Sequence, residues 1–244
     1  MLKHTIVLIG LLGLCLPSAW AQPPSAEQLL RHLDQLYQQD SAYAVIQMQI
    51  VTPDFERSLR LESWSLGDDY ALLRVLEPVR EYGVSTLKRG QELWNYLPRV
   101  DRTVRIPAAM MMGSWMGSDF TNDDLLRETQ WSEHYAATLN SDVSPWQLSL
   151  VPFAQTVTVW GRIEIMLDPE QWVPLEQRYY NERDELLRTL TFSEARTING
   201  TLIPTRLRLE PAQKPEQWTQ VDYEHLEFDV PLGPEFFTLQ NLRR

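Results

Sequence analysis

The sequence predicts a mainly β protein of the α+β class, with one helix near its start and an irregular central segment. Apolar and polar residues alternate along about ten segments, as they do in half-buried strands. Turn residues separate these segments at regular spacing, which is typical of an antiparallel barrel or sandwich. No linker divides the chain, so we expect one domain at 22–244 after a leader at 1–21.

The leader has the features of a Sec-type signal peptide. Lys3 gives a basic start, Thr5–Leu16 is apolar, and Ala19–Ala21 is a small-x-small cleavage site. The apolar run is shorter than the roughly 20 residues of a membrane-spanning helix. We therefore expect a mature chain that begins at Gln22 and lies in the periplasm of a Gram-negative cell.

The first mature element is predicted to be an amphipathic helix. Ser25 is a favourable N-cap residue, and Gln28 completes a capping box three residues later. Its apolar stripe consists of Leu29, Leu30, Leu33, Leu36 and Tyr37. Its polar face is predicted to carry Arg31, Asp34 and Gln38.

Alternation predicts strands in both halves of the chain. In the first half they fall at Ile46–Ile50, Leu59–Leu66, Tyr70–Leu76, Gly83–Lys88 and Glu92–Leu97. In the second half they fall at Trp146–Val151, Val157–Ile165, Gln171–Tyr180, Leu186–Glu194, Ile203–Leu209 and Trp218–Phe228. The apolar parity changes between Leu61 and Trp64, which predicts a bulge. Asn199-Gly200 is the strongest hairpin signal, because a type I′ turn needs positive φ at both positions.

Composition excludes several classes of function. The formal net charge of −11 argues against a nucleic-acid partner, since phosphates require a basic surface. Cys15 lies in the leader and is the only cysteine, so the mature chain has neither disulfides nor thiol chemistry. The histidines are too far apart for a metal site, and Gly113–Gly117 has Trp115 where a nucleophile elbow needs serine. We therefore expect that the protein is not an enzyme and that it has no catalytic residue, metal or cofactor.

The central segment, Pro98 to Glu128, does not alternate as strands do. It has four methionines, Met110, Met111, Met112 and Met116, whose flexible side chains suit an apolar surface that accepts varied ligands. Gly113 and Gly117 would allow it to move. Two interpretations stay open: a hydrophobic lid over the mouth of a barrel, or a plug that fills a short core. The predicted cavity and lid residues are Met110, Met111, Met112, Trp115, Met116, Phe120, Leu125 and Leu126.

Several short runs resemble the LolA-like outer-membrane lipoprotein-sorting proteins, of the LolA and LolB superfamily. In the centre these are Tyr96-Leu97-Pro98, Arg99–Arg102, Ile106-Pro107, Met116–Phe120 and Asp123–Leu125. Near the end they are Ile203–Thr205, Phe237–Leu239 and Asn241-Leu242. The leader and the capped helix fit the same family. The resemblance implies a half-open antiparallel β-barrel that curves around a helical lid, with an apolar cavity between them.

The resemblance also implies a function. Such proteins carry a lipid, acyl chain or lipoprotein from an inner-membrane transporter to the outer membrane. The Gly117-Ser118-Asp119-Phe120 run is similar to that of LolA-like proteins associated with dedicated exporters of the RND or ABC type, which leaves the cargo open. The alternative is a fixed periplasmic accessory subunit of such an exporter that carries no cargo. In either case we expect a monomer.

Three arginines of the central segment allow two interpretations. Arg99, Arg102 and Arg105 could simply form a solvated face. One of them could instead lie at the cavity rim, where it would pair with Asp119 or Asp123 to hold the lid shut, or contact a lipid head group. The capping of a short helix by Thr121 or Asn122 explains the acidic pair Asp123-Asp124 more simply than catalysis does.

Overall fold

The computed structural model describes residues 23–37, 39–127 and 131–244. The first helix, α1, spans Ala26–Gln35, and the predicted capping box is confirmed. The Gln28 amide donates to the Ser25 hydroxyl at 3.1 Å, and the Ser25 amide donates to the Gln28 side chain at 2.8 Å. Gln38 and the predicted leader with its cleavage site lie outside the described residues. None of the helices in the described part is long and apolar enough to cross a membrane.

The described residues contain one antiparallel sheet of 13 strands, more than the ten or so predicted. The first six are β1 (Ser41–Val51), β2 (Glu56–Leu66), β3 (Tyr70–Glu77), β4 (Ser85–Arg89), β5 (Glu92–Leu97) and β6 (Arg102–Arg105). The other seven are β7 (Tyr135–Asn140), β8 (Trp146–Pro152), β9 (Arg162–Leu167), β10 (Pro174–Tyr180), β11 (Leu186–Ile198), β12 (Thr201–Pro211) and β13 (Trp218–Phe228). The remaining α-helices of the described residues are α2 (Asn122–Arg127), α3 (Trp131–His134) and α4 (Leu239–Leu242).

The strand order explains why the barrel stays half open. Strands β1 to β6 and β7 to β13 each form a meander, and pairing of β1 with β13 joins the two. The sheet therefore ends at β6 on one side and at β7 on the other, and it does not close. The chain that runs from β6 to β7 contains α2 and α3 and connects these two edges. We call residues 106–127 and 131–134 the insert.

Apolar residues lie on both faces of the first meander. The concave face carries the main core, which includes Leu59 and Leu61 of β2. Trp64 and Leu66, on the convex face, pack in a second cluster with Phe236 and Phe237 of the C-terminal segment. The predicted bulge between Leu61 and Trp64 was wrong, because β2 pairs regularly with both β1 and β3 over this stretch, and the register shift between β2 and β3 lies between Arg60 and Leu61. The change of parity marks a second buried face instead.

Other predictions from the sequence can be compared with the strands directly. The hairpin at Asn199-Gly200 is confirmed, with φ of 48° and 83° and Ile198 opposite Thr201. The long strand predicted from Val157 was wrong, since β9 begins only at Arg162. Val157 is 80% exposed, because it lies in the loop before that strand.

Candidate functional site

A cavity of about 220 Å³ lies between the concave face of the sheet, α1 and the insert. Most of its wall is apolar. The helical side of the wall consists of Leu33 of α1, Leu36 and Tyr37 just beyond its end, Leu125 of α2 and Trp131 of α3. The second meander contributes Pro174, Phe192, Leu207, Tyr223 and Leu226. The polar and charged side chains of the wall are Asp34, Ser63, Ser65, Lys88, Asp124 and Gln177.

Small residues on neighbouring strands form the floor of this cavity. Ala42, Ser65 and Ala71 lie opposite one another on β1, β2 and β3, and Lys88 of β4 is opposite Ala71. Ala44 and Ser63 form part of the next row. Elsewhere the same face carries leucine and isoleucine, which fill the core. The cavity exists because these positions lack large side chains.

Helix α1 covers the floor and is attached at its C-terminal end. The Tyr37 hydroxyl donates to the carbonyl oxygen of Pro204 at 2.8 Å, and the Tyr37 ring stacks on Tyr223 with centroids 5.5 Å apart. Asp34 was predicted on the polar face, but that was wrong, because it is 8% exposed and lines the cavity. Its carboxylate accepts from the amides of Trp131 and Ser132 at 2.9 and 3.0 Å, which joins α1 to α3.

Burial and hydrogen bonding act in opposite directions on Asp34. Desolvation raises the pKa of this carboxyl, and the hydrogen bonds from Ser132 and Trp131 lower it less than burial raises it. Because its carboxylate accepts hydrogen bonds from the first two amides of α3, Asp34 of α1 acts as a buried N-cap for α3.

An ion pair buried beneath α2 holds the insert on the second meander. Arg188 of β11 donates two hydrogen bonds to the Asp124 carboxylate, at 2.7 and 2.6 Å, and both side chains are less than 9% exposed. The guanidinium carbon lies 4.5 Å from the Trp160 ring centroid and 4.2 Å from that of Tyr179. Burial would raise the pKa of Asp124, but Arg188 holds it below its usual range. Such a two-bond pair fixes orientation as well as distance.

Asp124 also caps its own helix. The Thr121 amide donates to the Asp124 carboxylate at 2.7 Å, and the Asp124 amide donates to the Thr121 hydroxyl at 3.2 Å. The predicted capping role of this acidic pair is confirmed for Asp124.

Among the described residues that line the cavity, Lys88 is the one with a cationic side chain. It is 2% exposed, and burial lowers the pKa of its ammonium group to about 8, while Asp68 and Asp69 act in the opposite direction. Both aspartates lie in the exposed turn between β2 and β3. A buried ammonium in an otherwise mostly apolar wall marks this end of the cavity as chemically distinct.

The predicted lid residues occupy different places. Leu125 lines the cavity. Trp115 and Phe120 are buried in the main core, and Met116 packs against it. The Trp115 indole donates to the Thr86 hydroxyl at 3.0 Å. Burial of these side chains is what the plug interpretation predicts for this part of the insert.

The remaining predicted lid residues lie elsewhere. Met110 and Met112 are 57% and 39% exposed, Met111 is partly exposed, and these three are not among the residues that line the cavity. Leu126 belongs to α2, but its side chain lies outside the described residues. Contact between these methionines and cargo stays a prediction.

The predicted latch residues are also separated. Arg99 and Arg102 are exposed, and Arg105 pairs with Glu92 at the sheet edge. Asp119 accepts from the Thr219 hydroxyl at 2.7 Å and from Gln217, both beside or in β13. Among the described residues, Arg188 and Asp124 form an ion pair that attaches the insert to the sheet. The described residues contain no group of three or more side chains that could hold a metal ion.

Comparisons with known proteins identify the family and the fold. A family model with the description "Uncharacterized protein" matches residues 67–244, which is most of the chain. The chain belongs to this family. A comparison with curated proteins gives no significant match.

Three bacterial proteins with solved structures resemble this chain in fold. A DUF1329 family protein from Desulfovibrio piger is 24% identical, with a TM-score of 0.79 over 89% of this chain and 97% of its own. A domain from Vibrio parahaemolyticus, named for outer membrane lipoprotein sorting, is 20% identical, with a TM-score of 0.77 over 89% and 98%. A LolA superfamily protein from Nitrosomonas europaea is 22% identical, with a TM-score of 0.73 over 89% and 99%. The predicted LolA-like fold is confirmed.

Proposed function

We propose that the protein is a periplasmic carrier that binds the apolar part of a lipid, an acyl chain or a lipoprotein. The observation that carries this proposal is the apolar cavity on the concave face of an open sheet. Ligand sites are typically concave and apolar with a few placed polar groups, and this cavity has that character. The predicted signal peptide supports a periplasmic location.

The size of the cavity indicates how cargo enters. Its volume of about 220 Å³ is below the roughly 300–1,000 Å³ of typical ligand pockets. A long acyl chain therefore requires α1 or the insert to move away from the sheet. The contacts that oppose this movement include Asp124 with Arg188, and Asp34 with the first amides of α3.

We further propose that the carrier receives cargo from an inner-membrane transporter of the RND or ABC type and delivers it to the outer membrane. The fold shared with a domain named for outer membrane lipoprotein sorting supports this part of the proposal. An open sheet edge on each side of the insert gives cargo a route to the cavity that a closed barrel would lack.

A pair of serine substitutions on one strand tests the cavity. Ser63 lines it, whereas Ser58 is exposed on the opposite face of β2. With delipidated mature protein, an apolar fluorescent probe should bind at micromolar concentration, and a long-chain fatty acid should displace it. Ser63→Phe should weaken probe binding about tenfold or more by filling the space, which corresponds to about 1.4 kcal/mol. Ser58→Phe should bind as the wild type does.

Equal binding by Ser63→Phe and Ser58→Phe would assign the probe to another surface, and no binding by the wild type would contradict the carrier proposal. Native mass spectrometry of protein purified gently from the periplasm provides an independent measurement. Co-purified lipid supports a carrier, whereas a ligand-free mass together with tight transporter binding supports the fixed accessory subunit.

A further inference from the structure

Two serines of β2 place hydroxyl groups in the floor of the cavity. Ser63 lies opposite Ala44 of β1, and Ser65 lies opposite Ala42 of β1 and Ala71 of β3. The two serines are on one face of the strand, roughly 7 Å apart along it. Alanine at either position would leave nearly the same space without a polar atom to desolvate. Serine therefore adds hydrogen-bonding capacity to the floor with little change in its shape.

Other buried serines of the sheet use their hydroxyls within the protein. Ser41 and Ser85 donate to backbone carbonyl oxygens at 2.8 and 2.9 Å. Among the residues that the structure describes, the hydroxyls of Ser63 and Ser65 have no such acceptor, and both side chains line the cavity. A molecule bound in the cavity can therefore accept hydrogen bonds from them.

Gln177 of β10 gives the cavity another neutral donor. It is 3% exposed, and its neighbours on the adjoining strands are Ile165 and Leu190 of the main core. The Tyr179 hydroxyl donates to the side-chain oxygen of Gln177 at 2.8 Å, which orients the carboxamide. Within the described part of the chain the carboxamide nitrogen has no protein acceptor, and the side chain lines the cavity. Because methionine would fill this apolar row without a polar group to satisfy, glutamine here is suited to an acceptor in the cavity.

The charged side chains of the wall interact with other groups of the protein. Asp124 pairs with Arg188, and Asp34 accepts from two amides of α3. Lys88 interacts with the acidic turn at residues 68–69. A bound anion would lose its water beside two carboxylates, which costs more than desolvating a neutral carbonyl group. The neutral donors of the wall therefore favour an uncharged acceptor, such as the carbonyl oxygen of an ester or an amide.

We infer that the hydroxyls of Ser63 and Ser65 and the carboxamide of Gln177 form a hydrogen-bonding subsite for the ester or amide carbonyl of an acyl cargo. This inference rests on the proposed carrier function and deepens it by naming the cargo class, a neutral acyl derivative. A carbonyl oxygen has two lone pairs, so it can accept from two of these donors at once. The acyl chain itself lies against the apolar wall that includes Phe192 and Leu207. The subsite thus distinguishes an acyl derivative from a plain hydrocarbon chain.

The test compares ligands of equal chain length that differ in one linkage. Methyl dodecanoate has an ester, N-methyldodecanamide has an amide, and tetradecane has neither. Displacement of an apolar fluorescent probe by each ligand is measured with delipidated mature protein at neutral pH. The variants are Ser63→Ala with Ser65→Ala, Ser63→Thr with Ser65→Thr, and Gln177→Met. Ser58→Ala is the matched control, because Ser58 is exposed on the opposite face of β2.

The double alanine variant should bind the ester and the amide about tenfold more weakly than the wild type does, because both hydroxyl donors are lost. Its affinity for tetradecane should stay the same. The double threonine variant keeps both hydroxyls, so its ratio of ester affinity to tetradecane affinity should match the wild type. Gln177→Met should weaken binding of the ester and the amide but not of tetradecane, and Ser58→Ala should change none of the three.

Unchanged binding of the ester and the amide by the double alanine variant, or an equal loss of tetradecane binding, would overturn the inference but leave the carrier function intact. The melting temperature of this variant should stay close to that of the wild type, because neither hydroxyl bonds to a described protein group. A large fall would show that the hydroxyls support the fold, and it would also overturn the inference. If the wild type binds none of the three ligands, the carrier function itself fails, and the inference fails with it.

Discussion

Replacing Lys88 with methionine should stabilise the protein at neutral pH. Burial lowers the pKa of the Lys88 ammonium from its ordinary value near 10.5 to about 8. At about 1.4 kcal/mol for each pH unit, this difference corresponds to roughly 3 kcal/mol of destabilisation when the lysine is protonated in both states. Methionine has a similar length and no charge to desolvate. Because the substitution also removes the polar contacts of Lys88, we expect a gain of about 1–3 kcal/mol in the free energy of unfolding.

The effect has a definite pH dependence. Between pH about 8 and 10.5 the unfolded chain holds the Lys88 proton and the folded chain releases it. The wild type therefore gains stability as the pH rises through this window. Below about 8 both states are protonated, so the difference between Lys88→Met and the wild type is full and constant. Above 10.5 neither state is protonated, so the difference should disappear.

Urea unfolding, followed by tryptophan fluorescence, measures this difference. Curves are recorded for the wild type, Lys88→Met and Lys214→Met at neutral pH and at intervals up to alkaline pH. Lys214→Met should follow the wild type at every pH, because Lys214 is exposed. A Lys88→Met variant less stable than the wild type at neutral pH, or one whose advantage does not change with pH, would refute the reasoning.

Three further predictions concern the leader, the ion pair and the insert. Intact mass analysis of periplasmic protein should show a chain that begins at Gln22, and retention of residue 1 would contradict the signal peptide. Arg188→Met should lower the free energy of unfolding by about 3–5 kcal/mol, because it leaves a buried carboxylate, and adding Asp124→Asn should recover part of this in urea titrations. Met111→Asp with Met112→Asp should leave the melting temperature nearly unchanged, since these side chains are not fully buried. Loss of probe binding in that folded variant is what the lid hypothesis predicts.

Alternation along the chain was sufficient to predict the sheet, because most strands have a buried concave face and a solvated convex one. It failed where that condition does not hold. Strand β7, Tyr135–Asn140, is a short edge strand, and its weak alternation was missed. Val157 and Val159 continue the pattern of β9 but lie in the loop before it. The periodicity of a sequence shows which side chains are apolar, but it does not determine at which residue hydrogen bonding between strands begins.

The charged residues of the site were harder to predict, although two of them left a signal. Arg188 shares strand parity with Leu190 and Phe192, which places it on the concave face. Asp34 follows Leu30 by four residues, so it lies on the apolar stripe of α1. The sequence contains no such signal for Lys88, because β4 is buried on both faces and the alternation of its residues does not show which face is concave. Their partners come from distant parts of the chain, and no local pattern specifies them.

The second buried face explains how this sheet can afford an internal cavity. On β2, Trp64 and Leu66 pack against the C-terminal segment on the convex side, with Trp64 5.4 Å from Phe236 between ring centroids. The same stretch of strand places Ser63 and Ser65 on the concave side. Burial of the large residues outside compensates for the small ones inside, since apolar area removed from water stabilises the strand whichever face carries it. The parity change that suggested a bulge thus marks the part of the sheet where the floor of the cavity lies.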